Sequence, residues 1–255
     1  LVGFITALVT GLVIIGGIKS IGNICAKLVP AMGFFYILSC VILLIINYRY
    51  LLPSVTLIFR SAFLPNAMAG GFIGSNIKTA ARYGIARGLF SNEAGIGTAA
   101  IAAASAKTEN PHNQALVSMS ATFWDTVVMC AITGLVIVSN IIKNPLSVKG
   151  ASASELTSIA FSQIPFGRYL LGLSIIAFAA ATLIGWSYFG EKAVVYLFGK
   201  EGIGTYRICY IVMIFIGAVL SLEFVWELSD LINALMTIPN VVSIWLLYKE
   251  IKDTV

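Results

Sequence analysis

Charge is scarce in this chain of 255 residues: Asp, Glu, Lys and Arg together make up 11%, and histidine occurs once, as His112. Soluble domains carry about twice that share of charge, so a water-facing shell cannot be assembled from this composition. The near absence of histidine, together with scattered acids, leaves no nucleophile–base pair and no metal-ligand set, which excludes an intramembrane enzyme and points to a protein with no covalent chemistry. Four cysteines, Cys25, Cys40, Cys130 and Cys209, share no metal or redox spacing, and three lie in apolar segments where a thiol behaves as a small hydrophobe. The net charge of +5 gathers into no basic stripe, so nucleic acid is excluded as a partner. The opening run is not expected to be a signal peptide. The chain opens on Leu1 inside an apolar run, with neither Met nor a basic n-region, and reads as a portion of a longer protein.

What is abundant is hydrocarbon. Hydrophobic residues are 59% of the chain, and uncharged runs near bilayer length recur along it. The fold class is therefore an all-α polytopic membrane protein, partnered by the lipid bilayer. Seven membrane segments are expected, within a single membrane domain: 1–17, 28–48, 68–106 broken near 90–97, 114–142, 169–198, 206–222 and 226–248. A short polar link (IKSIGNICAK) is expected between the first two, a short interfacial helix around 54–63, and a tight acidic turn between the last two. Pro239 is expected to kink the final helix, because it removes one backbone bond and crowds the preceding turn. Lys and Arg divide almost evenly between the two sides, so the positive-inside rule orients the chain poorly; loop length favours a cytoplasmic first link.

One segment departs from the pattern. YGIARGLFSNEAGIGTAAIAAASAKTEN, from Tyr83 to Asn110, is apolar enough for a membrane yet holds Ser91-Asn92-Glu93 and Gly88, Gly95 and Gly97 at its centre. Hydrocarbon offers no partner to backbone groups freed by such a break, so a broken helix survives where its backbone lines a polar cavity or packs on protein. The arriving half exposes carbonyls and the departing half exposes N–H groups, the two partners that a zwitterionic amino acid needs. Glu93 is costly in a membrane and marks a functional site. Three roles are open to it: a salt bridge with Arg87, a protonated structural carboxyl, or a ligand for a coupling ion. Asp125 is milder, suited to capping a freed backbone group or packing on the broken helix. Ala179, Thr182 and Trp186 recur at i, i+3 and i+7 on one helix face, which allows either an oxygen ligand pair beneath an aromatic lid or ordinary helix packing.

RGLFSNEAGIGTAAIAAASAKTENPHNQALV, continuing to FWDTVV, resembles the alanine/glycine:cation symporter family, the sodium:alanine symporters. GGIKSI at 16–21, KLVPAMGFFYIL at 27–38, IGWSYFGEKAVVYLFG and VWELSDLINALMTIPN extend the resemblance over essentially the whole chain. It implies the second half of a five-plus-five inverted-repeat (LeuT-like) transporter with one discontinuous helix, whose missing N-terminal half carries much of the site. It further implies symport of a small neutral amino acid, alanine or glycine, with sodium as coupling ion and no cofactor, in the cell membrane. Substrate contacts carried over by the resemblance are Phe90 as a side-chain wall, the polar backbone of Ser91, Asn92, Glu93, Ala94 and Gly95, and Thr182 and Trp186 on the pocket lining. Ala179 and Thr182 resemble that fold's sodium ligands. GIGTAA stands where GLGSAP-like sequence is expected, a change that bears on packing and substrate size.

Overall fold

The computed structural model describes residues 1–63, 84, 88, 91–93, 95–151 and 153–250, with the side chains of Lys19, Ala62, Phe63, Ala153 and Ser154 left aside. The described elements are helical: α1 (Val2–Ile15), α2 (Gly17–Ile46), a single 3-10 turn (Tyr48–Tyr50), α3 (Leu51–Phe63), α4 (Thr98–Ala103), α5 (Pro111–Lys143), α6 (Ala153–Phe161), α7 (Gly167–Phe198), α8 (Gly202–Gly217) and α9 (Leu222–Leu246). Among the described residues four helices are long and apolar enough to cross a membrane, in α2, α5, α7 and α9, while α1 and α8 are shorter apolar helices. α9 has no buried residue, and Leu231, Leu235, Ile238, Val242 and Trp245 stand exposed along it. Hydrocarbon accepts such a surface and water does not. The chain is a polytopic helical membrane protein.

Two expected connections are helix instead. The link across 18–27 belongs to α2, which starts at Gly17 and runs unbroken through Pro30. Ile21 is buried there and packs with Ile24 and Cys25, so the apolar positions recur at helical spacing between Lys19, Asn23 and Lys27. Positive φ at Gly17 (69°) makes the turn out of α1, a conformation that an L side chain adopts only at a cost. The acidic turn is likewise the first turn of α9. Ser221, extended at φ −65°, ψ 142°, caps that helix through a hydrogen bond from Phe224 N, and Glu223 lies in its first turn, where the helix dipole favours a carboxylate.

The chain divides into two compact units, and the boundaries fall inside α2, α5 and α7 and between Asn92 and Glu93. The first unit holds Leu1–Gly33, Glu93–Ser118 and Ile175–Val255. In it α1 lies on α8 with little room: a Cβ on Gly3 would stand 2.5 Å from Ala218 Cβ, and one on Gly11 would stand 2.9 Å from Ile211 Cδ1. Small residues let the two backbones approach, as is usual between helices in lipid. Tyr206 and Tyr210 of α8 donate to backbone carbonyls of α7, Ser187 at 3.2 Å and Leu183 at 2.7 Å.

Arg207, also on α8, ties three elements. It donates from Nε to Glu191 Oε2 of α7 at 2.9 Å, lies 2.8 Å from the same oxygen through Nη2, and reaches the Ile15 carbonyl at the end of α1 at 3.4 Å. Both charged side chains are mostly shielded, at 23% and 16% exposure, so removing the guanidinium leaves a carboxylate and a helix-terminal carbonyl without it. Arg207→Ala is expected to cost about 1–2 kcal/mol of stability, and Arg207→Lys to recover only part of it, since an ammonium lacks the two-pronged geometry. Thermal midpoints of the full-length protein in detergent check this.

The second unit holds Phe34–Asn92 and Met119–Ser174. Tyr36 of α2 meets Thr133 of α5 through their hydroxyls at 2.7 Å and stacks on Phe161 of α6 at 5.9 Å. Near the end of α5, Lys143 donates to Asn47 Oδ1 and Gln163 Oε1, each at 2.8 Å. Within α5, residues Phe123–Cys130 form a π-helical stretch, a wider turn than the α-helix on either side. Such insertions re-aim side chains and occur often at functional positions.

Candidate functional site at the helix discontinuity

The break is real at its downstream edge. Gly97 has φ +87° and precedes α4, and Glu93 has φ +56°, the left-handed region that a residue with a Cβ adopts at a cost of about 1–2 kcal/mol. A turn connects them: Ile96 N donates to the Glu93 carbonyl at 3.2 Å, and Ala100 N to the Gly97 carbonyl at 3.3 Å. The neighbouring Ile96 and Thr98 are buried at 4% and 2% exposure, which anchors the turn on both sides of Gly97.

Three side chains organise this turn. Glu93 Oε2 accepts from Thr98 Oγ1 at 2.7 Å, and Glu93 Oε1 accepts from the indole nitrogen of Trp186 at 2.6 Å. Asn240 Nδ2 of α9 donates to the Gly95 carbonyl at 3.0 Å, supplying the partner that a backbone group beside a break requires. The same Asn240 side chain fills the space beside Gly97, where a Cβ would come within 2.9 Å of Oδ1. Asn240 directly follows Pro239, so the helix offers its amide one position after a residue that cannot donate to the preceding turn.

Of the residues singled out from the sequence, Glu93, Gly95 and Trp186 are therefore brought together, the first and last by a direct hydrogen bond. Trp186 is half-buried, with Phe189 edge-on at 5.9 Å. Ala179 and Thr182 lie on α7 two turns and one turn before Trp186, both exposed, with their side chains at helical spacing on one face. Phe90, Ala94 and Arg87 lie outside the described residues. Glu93 forms no ion pair with any described residue; its partners are the neutral donors of Thr98 and Trp186.

In the second unit, Ser91 is helical and donates its hydroxyl to Asp125 Oδ2 at 2.5 Å, with Thr126 Oγ1 at 3.4 Å from the same oxygen. Asp125 meets the Ser91 hydroxyl from the π-helical stretch. Asn92 is half-buried. Sequence reasoning missed Asn240. The available signal was an amide directly after a proline in the apolar second half of α9, a pairing that marks a polar face turned toward protein.

Comparison with known proteins places this geometry. The family model described as the sodium:alanine symporter family matches residues 1–255. The sodium/alanine symporter AgcS of Methanococcus maripaludis is 45% identical over 96% of this chain and 53% of its own length. The probable sodium/glutamine symporter GlnT of Bacillus subtilis is 34% identical over 98% of this chain and 51% of its own. A putative sodium/proton-dependent alanine carrier protein of the same organism, YrbD, is 31% identical over 95% of this chain and 52% of its own. The chain spans about half the length of the curated relatives it matches, and those relatives are named as transporters, not enzymes. The break, the indole–carboxylate contact and the amide clamp are features of a chain that belongs to the sodium:alanine symporter family.

Proposed function

We propose that the protein couples uptake of a small neutral amino acid, alanine or glycine, to sodium by alternating access across the cell membrane. The observation that carries this reading is the discontinuity at 93–97, held open by Asn240 on the Gly95 carbonyl and by the left-handed Gly97. Exposed backbone at membrane depth is what a symporter uses to meet both ends of a zwitterion. Sodium coupling is supported by the names of the relatives AgcS and GlnT, alanine by that of AgcS, and a small side chain by the bulk of Trp186 beside the break.

In this mechanism the backbone from Ser91 to Gly95 supplies polar contacts to the amino acid, Phe90 and Trp186 wall off its side chain, and Thr182 completes the lining. The Ala179 carbonyl and the Thr182 hydroxyl donate oxygens to sodium, and the N-terminal half of the same protein supplies the remaining ligands. The architecture is the second half of a five-plus-five inverted repeat, whose broken-helix bundle rocks against a scaffold around the bound pair.

The test is radiolabelled alanine uptake into proteoliposomes of the full-length protein under opposed gradients. Saturable uptake driven by a sodium gradient is expected; uptake driven equally by a proton gradient alone would overturn sodium coupling, and unsaturable flux would indicate a channel. Within that assay, Thr182→Val keeps shape and removes one oxygen. The sodium half-saturation is expected to rise about tenfold, the equivalent of about 1.4 kcal/mol, with alanine selectivity retained. An unchanged sodium half-saturation would remove Thr182 from the ion site.

A further inference from the structure

We propose that Glu93 is a positioning residue for Trp186: its carboxylate fixes the indole ring, and through the ring it sets the size of substrate side chain that the site admits. This rests on the reading above that Trp186 lines the substrate site. The Glu93 backbone is held by the turn that Ile96 N closes onto its carbonyl, and one carboxylate oxygen is held by the buried Thr98 hydroxyl. The other oxygen then stands at a fixed place and accepts the indole N–H at 2.6 Å. An indole nitrogen can only donate, so a partly buried tryptophan takes the orientation in which an acceptor meets it. Phe189, edge-on to the ring at 5.9 Å, limits a second direction of movement. A tryptophan side chain has two torsions, and a hydrogen bond at one edge with a ring at another leaves little freedom in either. The described partners of the two Glu93 oxygens are both neutral donors, one on each.

The chemistry separates positioning from charge. Glu93→Gln keeps a carbonyl acceptor for the indole and turns its amide toward Thr98, whose hydroxyl can accept. Glu93→Leu keeps most of the volume and offers the indole nothing. Trp186→Phe removes the donor and retains an aromatic ring. The experiment measures alanine KM, maximal rate and sodium half-saturation for the full-length protein in proteoliposomes, with competition by glycine, serine, valine and leucine.

Glu93→Leu is expected to let valine and leucine compete about tenfold more strongly and to raise the alanine KM, with sodium half-saturation within about twofold of the parent. Glu93→Gln is expected to keep the parent ranking. Trp186→Phe is expected to shift the ranking as Glu93→Leu does, and the double variant to add little to either, because both remove one contact. Where Glu93→Leu fails to reach the membrane, Thr98→Val loosens the other anchor and is expected to shift the ranking in the same direction. A parent-like ranking in Glu93→Leu (or in Thr98→Val standing for it), multiplicative effects in the double variant, or a Glu93→Gln defect as severe as that of Glu93→Leu would each overturn the inference. If Trp186→Phe shifts the ranking and Glu93→Leu does not, positioning alone falls. If Trp186→Phe leaves the ranking unchanged, the placement of Trp186 in the substrate site falls and positioning with it.

Discussion

Gly97→Val is expected to abolish uptake, a loss of at least about 100-fold at equal membrane abundance. Two costs coincide at this position. The backbone stands at φ +87°, which costs a residue with a Cβ about 1–2 kcal/mol and a β-branched one more. The first carbon of any side chain would also stand 2.9 Å from Asn240 Oδ1 and 3.2 Å from Asn240 Cγ. Asn240 cannot simply turn aside, because its Nδ2 is committed to the Gly95 carbonyl. Relief therefore requires either a new backbone path through the break or the loss of the clamp, and each changes the surface offered to substrate. A combined cost near 3 kcal/mol corresponds to about two orders of magnitude. Gly97→Ala is expected to fall in the same direction with a smaller loss, since it lacks the branched carbon. Uptake rates normalised to surface-exposed protein decide the matter, with monodisperse behaviour in detergent as the control for folding. Parent-like uptake by Gly97→Val would show that the left-handed turn is dispensable.

The helical membrane class was legible in composition alone, and so was the place of the break, because Ser91, Asn92 and Glu93 interrupt an apolar run that offers them no solvent. α5 ends at Lys143, and α7 ends at Phe198, just before the left-handed Gly199. What was hidden follows from ambiguities that hydropathy cannot resolve. Lys19, Asn23 and Lys27 look like a link, yet Ile21, Ile24 and Cys25 between them pack together and the helix continues. Glu223 looks like a turn residue, yet a carboxylate in a first helical turn is equally well placed. The π-helical stretch at Phe123–Cys130 carries no composition of its own, since its cause is hydrogen-bond register rather than residue type. The Trp186–Glu93 bond joins positions 93 residues apart, and pairings of that separation leave no periodic trace. Arg87, one candidate partner of Glu93, lies outside the described residues; the described partners are an indole and a hydroxyl.

Asn240→Leu is expected to lower uptake about tenfold while leaving the sodium half-saturation within about twofold, because the substitution keeps the branched outline of the side chain and deletes its hydrogen bond to the break, worth about 1–2 kcal/mol in a membrane. The Gly95 carbonyl then loses its side-chain donor, and a carbonyl beside a break has few other sources of one. Two outcomes distinguish what Asn240 does. If it serves only as a spacer beside Gly97, a similarly branched leucine keeps uptake and Asn240→Ala lowers it through the space it opens. If it serves as the donor that holds the break in place, Asn240→Leu and Asn240→Ala fall together, and Asn240→Gln recovers part of the loss where its longer amide can reach the same oxygen. The donor role is the expected one, since the 3.0 Å bond to Gly95 is directional whereas packing beside Gly97 is not. Retention of parent uptake by Asn240→Leu would assign the opening of the discontinuity to the glycine geometry alone, with the last helix acting as a wall.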